Sequence, residues 1–144
     1  MGDEDPGSLI PRWPTPIFLD ESIQPRVRRA IALIRPHDVL HAEMDRCPVS
    51  RGEKDDIWLP IVGKKDWLAI MRDERIETRE LERRALLEHG VRAFVLTGAG
   101  NFTMWSTLEL LVKRWAKIEA IGSSGQPGPF LYSVTASRVK QLLP

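Results

Sequence analysis

The length of 144 residues is typical of one domain, and 42% hydrophobic residues suffice for a core without cross-links. The single cysteine, Cys47, cannot form an internal disulfide, and no apolar run approaches the roughly 18 residues that a membrane span requires. With a formal net charge of +1 and no signal peptide, the chain is expected to be a soluble cytoplasmic protein with no membrane partner.

The predicted elements alternate between strands and helices after a proline-rich start. Residues 1–16 contain four prolines and predict a flexible arm, so the folded domain is expected at residues 17–144. Strands are predicted at residues 17–19, 38–42, 67–71, 92–97 and 130–135. Helices are predicted at residues 25–34, from Asp55 onward, at 77–89, and in a long segment with a capping box of Ser106 and Glu109. This alternation predicts an α/β fold with a mostly parallel sheet and right-handed crossovers.

Three acidic residues are predicted at one edge of this sheet. Asp20 directly follows the first strand and Asp73 follows the third, and the carboxyl ends of parallel strands collect ligands and catalytic groups. Asp55, at the start of a helix, is placed to point across the same edge. Carboxylates this close repel one another unless a cation neutralises them, and oxygen ligands without His or Cys favour Mg²⁺ or Mn²⁺. Each aspartate taken alone has a simpler explanation as a turn residue or a helix cap.

Other constellations are weaker. A zinc site at His37, His41 and Cys47 is disfavoured, because the histidines flank a predicted strand and no second cysteine exists. The clustered arginines and lysines could bind a phosphodiester backbone, but such charge runs are more often only a solvated helix surface. Trp105 could stack on an RNA base, although a position in the core or a helix cap is the simpler prediction.

Several short motifs, taken in order, resemble a PIN-like domain, most closely the VapC-type toxin branch. They are Phe18-Leu19-Asp20, the helix start Asp55-Asp56-Ile57-Trp58-Leu59, residues 67–76, and residues 91–98 followed by Asn101. The resemblance covers about residues 17–135. It implies a three-layer α/β/α sandwich with a four- to five-stranded sheet and a metal-dependent endoribonuclease activity. It also implies an RNA substrate, an antitoxin partner and a homodimer.

The resemblance also implies roles for individual residues. Asp20, Asp55 and Asp73 match the family's acids and would hold Mg²⁺ or Mn²⁺ as catalytic and metal-binding residues. The usual fourth acid has no clear counterpart, and Asp45 is the substitute, with Glu21 and Glu43 as alternatives. The basic residues that would hold RNA phosphates are Lys65, Arg75 and Arg79.

Two other functions remain open. A phospho-acceptor domain of the receiver type also has acids after its first and third strands and a hydroxyl residue after its fourth, which Asp20, Asp73 and Thr97 imitate. That class requires a lysine at the end of strand five, where this chain has Ser137 and Arg138. The second alternative is a non-catalytic binding module that has kept the fold, and it predicts no affinity for metal.

Overall fold

The computed structural model describes residues 16–44, 46–73, 80–98 and 103–144. All of the predicted N-terminal arm except Pro16 lies outside these ranges, as do three predicted site residues, Asp45, Arg75 and Arg79. The strands are β1 Ile17–Leu19, β2 Val39–Leu40, β3 Leu68–Arg72, β4 Arg92–Leu96, β5 Phe130–Val134 and β6 Val139–Leu143. The helices are α1 Pro25–Ile34, α2 Asp55–Lys64, α3 Glu80–Glu88 and α4 Met104–Gly122.

The six strands form one sheet in the order β2-β1-β3-β4-β5-β6. The first five are parallel, and β6 pairs antiparallel with β5. The α/β class and the mostly parallel sheet are therefore confirmed, with one more strand than the predicted four to five. β6 went unpredicted because it is an edge strand whose residues are all exposed or only half-buried.

Two helices cover each face of the sheet, which confirms the three-layer sandwich. The side chains of α1 and α4 pack on the face that carries Leu19, Ile70 and Phe94. The side chains of α2 and α3 pack on the opposite face, against Phe18 and Val95. β3 and β4 are buried on both faces, which explains why the sequence shows continuous apolar runs there instead of an alternating pattern.

The last crossover has the opposite hand to the other three. The chain passes from β3 to β4 through α3 and from β4 to β5 through α4, in the same direction along the sheet but over opposite faces. The β1–β2 and β2–β3 crossovers share the hand of the β3–β4 crossover. The four crossovers therefore do not share one hand, and the prediction that all are right-handed is wrong for at least one of them. The exception places α4 beside α1 and gives each face two helices.

The N-cap of α4 also differs from the prediction. Thr103 is the N-cap, its Oγ1 accepts the backbone N–H of Ser106, and the Ser106 hydroxyl accepts the N–H of Thr103. The capping box therefore lies three residues earlier than the predicted pair of Ser106 and Glu109. Among the described ranges, no helix is long and apolar enough to cross a membrane.

We expect Gly63→Ala to destabilise the protein, because Gly63 allows α2 to approach the end of α3 closely. An added methyl group would lie 1.8 Å from the backbone oxygen of His89, which cannot move aside as a side chain does. Helix propensity alone would stabilise the variant by about 1 kcal/mol, whereas overpacking costs about 1–3 kcal/mol. Urea denaturation should show a net loss of stability, and the exposed neighbour Lys64→Ala should change little. A more stable Gly63→Ala variant would contradict this packing.

Candidate active site

The candidate site lies at the switch point of the sheet. From β1 the chain continues through α1 to β2, and from β3 it continues through α3 to β4, in the opposite direction along the sheet. The helices α1 and α3 lie on opposite faces of the sheet. In open α/β sheets such a divergence opens a crevice at the carboxyl ends of the two strands, where ligands bind. Asp20 directly follows β1 and Asp73 directly follows β3, so both acids border this crevice.

The carboxylate of Asp20 is held by Ser22. The Ser22 hydroxyl donates to Oδ2 of Asp20 at 2.6 Å, and the Ser22 backbone N–H donates to the same oxygen at 3.1 Å. Burial raises the pKa of Asp20 above its usual value; the hydrogen bonds from Ser22 oppose this rise, and the negative charge of Asp55 adds to it. The ionised form of Asp20 is therefore less favourable here than in a solvent-exposed aspartate.

We expect Asp20→Asn to raise the melting temperature of the metal-free protein at neutral pH. Because the folded-state pKa of Asp20 is raised, the folded protein binds this proton more tightly, and stability falls as pH rises from the usual aspartate pKa through the raised value. The asparagine amide does not titrate, so the gain in melting temperature over wild type should grow with pH. Thermal melts in EDTA from acidic to neutral pH measure this difference. A gain in melting temperature that stays constant or shrinks as the pH rises would contradict the burial of the Asp20 carboxyl group.

Asp55 approaches the same site from α2. It is the first residue of that helix, and its Oδ1 accepts the indole N–H of Trp58 at 2.8 Å. Trp58 is buried and its ring lies 5.3 Å from that of Phe18 in β1, so a core tryptophan links Asp55 to the strand that ends at Asp20. The spacing of Asp55 and Trp58 in the helix-start motif noted in the sequence thus has a structural reason. The negative charge of Asp55 reaches Asp20, where it adds to the rise in the pKa of that carboxyl group.

Asp73 lies at the same edge but farther along it. Its backbone N–H donates to the carbonyl of Leu96 at 3.2 Å, which extends the β3–β4 ladder by one residue. Leu19 pairs with Ile70, so Asp20 stands beside Met71, and Asp73 follows two residues later, about 7 Å along the strand direction. Within the described parts of the chain, no three residues of the types His, Cys, Asp and Glu are grouped closely enough to hold a metal ion. The three-acid metal site therefore stays a prediction.

The fourth acid is not identified by the described residues, since Asp45 lies outside them. Both alternatives have other partners. Glu21 accepts the backbone N–H of Gly52, and Glu43 forms ion pairs with Arg28 at 3.3 Å and Arg29 at 3.5 Å. Both carboxylates therefore already have partners in this structure.

The residues predicted to hold RNA phosphates are only partly described. Lys65 follows α2 and precedes β3, so a strand of five residues, about 16 Å long, separates it from the edge with Asp73. Its ammonium lies 5.6 Å from the centre of the Trp67 ring. Lys65 therefore lies at the other end of β3 from Asp73, as its place before the predicted strand at residues 67–71 requires, and its role in holding RNA phosphates stays a prediction. Arg75 and Arg79 lie outside the described residues.

Two features of the site were missed or misjudged from the sequence. Ser22 was not singled out, although an aspartate followed two residues later by serine is a common turn signal in which the side chains bond locally. Trp105, predicted as a core or cap residue, is 69% exposed in the first turn of α4. Because α4 follows β4, this indole lies at the same end of the sheet as the acids.

The fold and the site define the class of open α/β proteins that bind ligands at the carboxyl ends of their strands. The family model described as "PIN like domain" matches residues 16–98, which are 83 of the 144 residues, and the chain belongs to this family. The match contains β1 to β4 and the residues Asp20, Asp55 and Asp73. The resemblance noted in the sequence is thereby confirmed.

One curated relative supports the same relationship. The protein named "Putative ribonuclease VapC45" from Mycobacterium tuberculosis is 29% identical to this chain over 91 residues. The aligned region covers 62% of this chain and 62% of that relative, which is less than two thirds of the relative's length. No solved structure matches the chain.

Proposed function

We propose that the protein is a metal-dependent endoribonuclease and the toxin of a toxin–antitoxin pair. The observation that carries this proposal is the buried carboxylate of Asp20, which Ser22 holds at the switch point of a PIN-like fold and on which the charge of Asp55 acts. The name of the relative from Mycobacterium tuberculosis supports RNA as the substrate.

The chemistry of the donors fits a hard divalent cation. Asp20, Asp55 and Asp73 offer only carboxylate oxygens, and the repulsion between Asp20 and Asp55 is the kind that a cation relieves. These three residues would hold Mg²⁺ or Mn²⁺, with Asp45 as the proposed fourth acid. When bound, such an ion supplies Lewis acidity, which lowers the pKa of water and neutralises charge on a phosphodiester.

The chain's own residues would orient the acids and the substrate. Ser22 fixes the carboxylate of Asp20 and Trp58 fixes that of Asp55. The exposed indole of Trp105 offers a stacking surface for an unpaired base. Arg75 and Arg79 remain the proposed phosphate contacts, whereas Lys65 lies too far from the acids to hold the phosphate being cleaved.

The proposed partners are an antitoxin and a second copy of the chain, in the cytoplasm. α1 and α4, which pack on the same face of the sheet, leave several large apolar side chains exposed, namely Leu33, Ile34, Trp105 and Val112. α1 and α4 contact each other, and contiguous exposed apolar patches are typical of surfaces that other proteins cover. They support a protein partner without indicating which of the two covers them.

Cleavage of RNA by the purified protein tests the proposal. End-labelled single-stranded and hairpin RNAs would be incubated with Mn²⁺, with Mg²⁺ or with EDTA, and the ends of the products mapped by sequencing. We expect internal cuts that require a divalent ion. Absence of metal binding and of cleavage would favour the non-catalytic module, whereas labelling of Asp73 by an acyl-phosphate donor would favour the receiver-type alternative.

A further inference from the structure

One hydrogen bond at the end of β1 departs from the regular ladder between parallel strands. The N–H of Asp20 donates to the carbonyl of Ile70 at 2.9 Å, as the ladder requires. The next bond of a parallel ladder would run from the N–H of Arg72 to the carbonyl of Asp20. Instead, the Arg72 N–H donates to the hydroxyl oxygen of Ser22 at 2.9 Å. A side chain thus replaces the backbone acceptor at the point where β1 leaves the sheet.

This bond also fixes the direction of the Ser22 hydroxyl proton. Because its oxygen accepts the N–H of Arg72, the hydroxyl directs its own hydrogen to Oδ2 of Asp20, 2.6 Å away. Hydrogen bonds to a carboxylate are shorter and stronger than neutral ones, and bonds in a chain reinforce one another. The Ser22 backbone N–H adds a second donor to the same oxygen. The Asp20 carboxylate is therefore held against β3 and not only within its own turn.

The hydrogen bond between Ser22 and Arg72 brings the two strand-end acids into one connected set of bonds. Arg72 is the last residue of β3 and directly precedes Asp73, so one hydroxyl ties the Asp20 carboxylate to the backbone that leads into Asp73. We propose that Ser22 is a positioning residue that sets the Asp20 carboxylate relative to Asp73 for a divalent cation. This inference rests on the proposed function, because it assumes that these acids bind the ion.

A role in the turn alone would have different consequences. A serine that only stabilised the turn would affect folding and leave the affinity of the folded protein for metal unchanged. The comparison therefore needs Ser22→Ala, Ser22→Thr, which keeps the hydroxyl, and Ser22→Cys, which keeps the shape with a weaker donor. Ser123→Ala is a matched control, because this serine donates to the Glu119 carbonyl at 2.7 Å at the far end of α4.

Mn²⁺ affinity of the full chain, measured by electron paramagnetic resonance of the free ion, provides the main readout. We expect Ser22→Ala to weaken Mn²⁺ binding about tenfold, as is usual when a residue that orients a metal ligand is lost. Ser22→Thr should bind as wild type, and Ser123→Ala should be unchanged. Hydrogen exchange of the Arg72 amide, read by NMR without metal, should be faster in Ser22→Ala and restored in Ser22→Thr. If Ser22→Ala does not fold, Ser22→Cys replaces it with the same expected weakening.

Asp20→Asn separates the two possible failures. If Asp20→Asn loses Mn²⁺ affinity while Ser22→Ala and Ser22→Cys keep it, the positioning role is overturned and the proposed function stands. If Asp20→Asn also binds Mn²⁺ as wild type, the proposed function fails, and the inference about Ser22 fails with it.

Discussion

Asp20→Asn and Asp73→Asn, made separately, should each lower Mn²⁺-stimulated RNA cleavage by at least about 100-fold, more than a residue that only orients a ligand contributes. Asparagine keeps the volume of the side chain and removes its charge, so the fold should persist. In Asp20→Asn the remaining amide oxygen can still accept the two hydrogen bonds from Ser22. Initial rates on the same labelled RNA, at one Mn²⁺ concentration, measure the effect.

Asp56→Asn is the control for this experiment. Asp56 is an exposed acid next to Asp55 in the first turn of α2, so it carries the same charge a few ångströms from the site. Its loss should leave the rate within about twofold of wild type, because surface charge acts weakly and is screened by salt. Retention of cleavage in both Asp20→Asn and Asp73→Asn would remove the basis for the metal site.

Arg35→Met should lower the free energy of unfolding by about 3–5 kcal/mol at neutral pH, the cost of breaking a buried ion pair by removing one partner. The guanidinium of Arg35 bonds to Glu119 at 2.7 Å and to Asp38 at 3.1 Å. These carboxylates are only 5% and 2% exposed, so both would remain buried without their cation. Arg35 joins the end of α1 to the start of β2 and to α4, far from the acidic edge.

This loss should become smaller as the pH falls. Burial raises the pKa of Glu119 above its usual value, and Arg35 opposes that rise. Without Arg35 the folded-state pKa rises further, so the variant gains stability as pH falls through that value and the carboxyl group takes up a proton. Urea denaturation at pH 7 and pH 5 tests the trend, and adding Glu119→Leu should recover part of the loss. A pH-independent loss below about 1 kcal/mol would contradict a buried pair.

The sequence was sufficient for much of the fold and for part of the site. β1 and α1 begin and end where the apolar run and the helical spacing predicted, and α2 begins at Asp55 as expected. These elements are defined by local signals, namely buried runs, a proline in the first turn and an acidic helix start. The position of Asp20 and Asp73 at one edge was predictable, because parallel strands place their carboxyl ends there.

The remaining features depend on contacts that no local signal encodes. The side of the sheet that α4 covers and the pairing of β6 are both set by packing between distant elements. Ser22 became important only because β3 brings the Arg72 N–H to its hydroxyl. Thr103 and Ser106 are both residue types that cap helices, and only the helix geometry shows which is the N-cap.

The order in which the strands are joined has a consequence for synthesis on the ribosome. The backbone N–H groups of Asp20, Arg72 and Asp73 donate to Ile70, Ser22 and Leu96, so these acceptors have all been translated before α4 begins. The last third of the chain adds β5 and β6 and covers the face that carries Phe94. A nascent chain that stops after β4 therefore contains these acceptors while the part of its core that α4 covers is still bare.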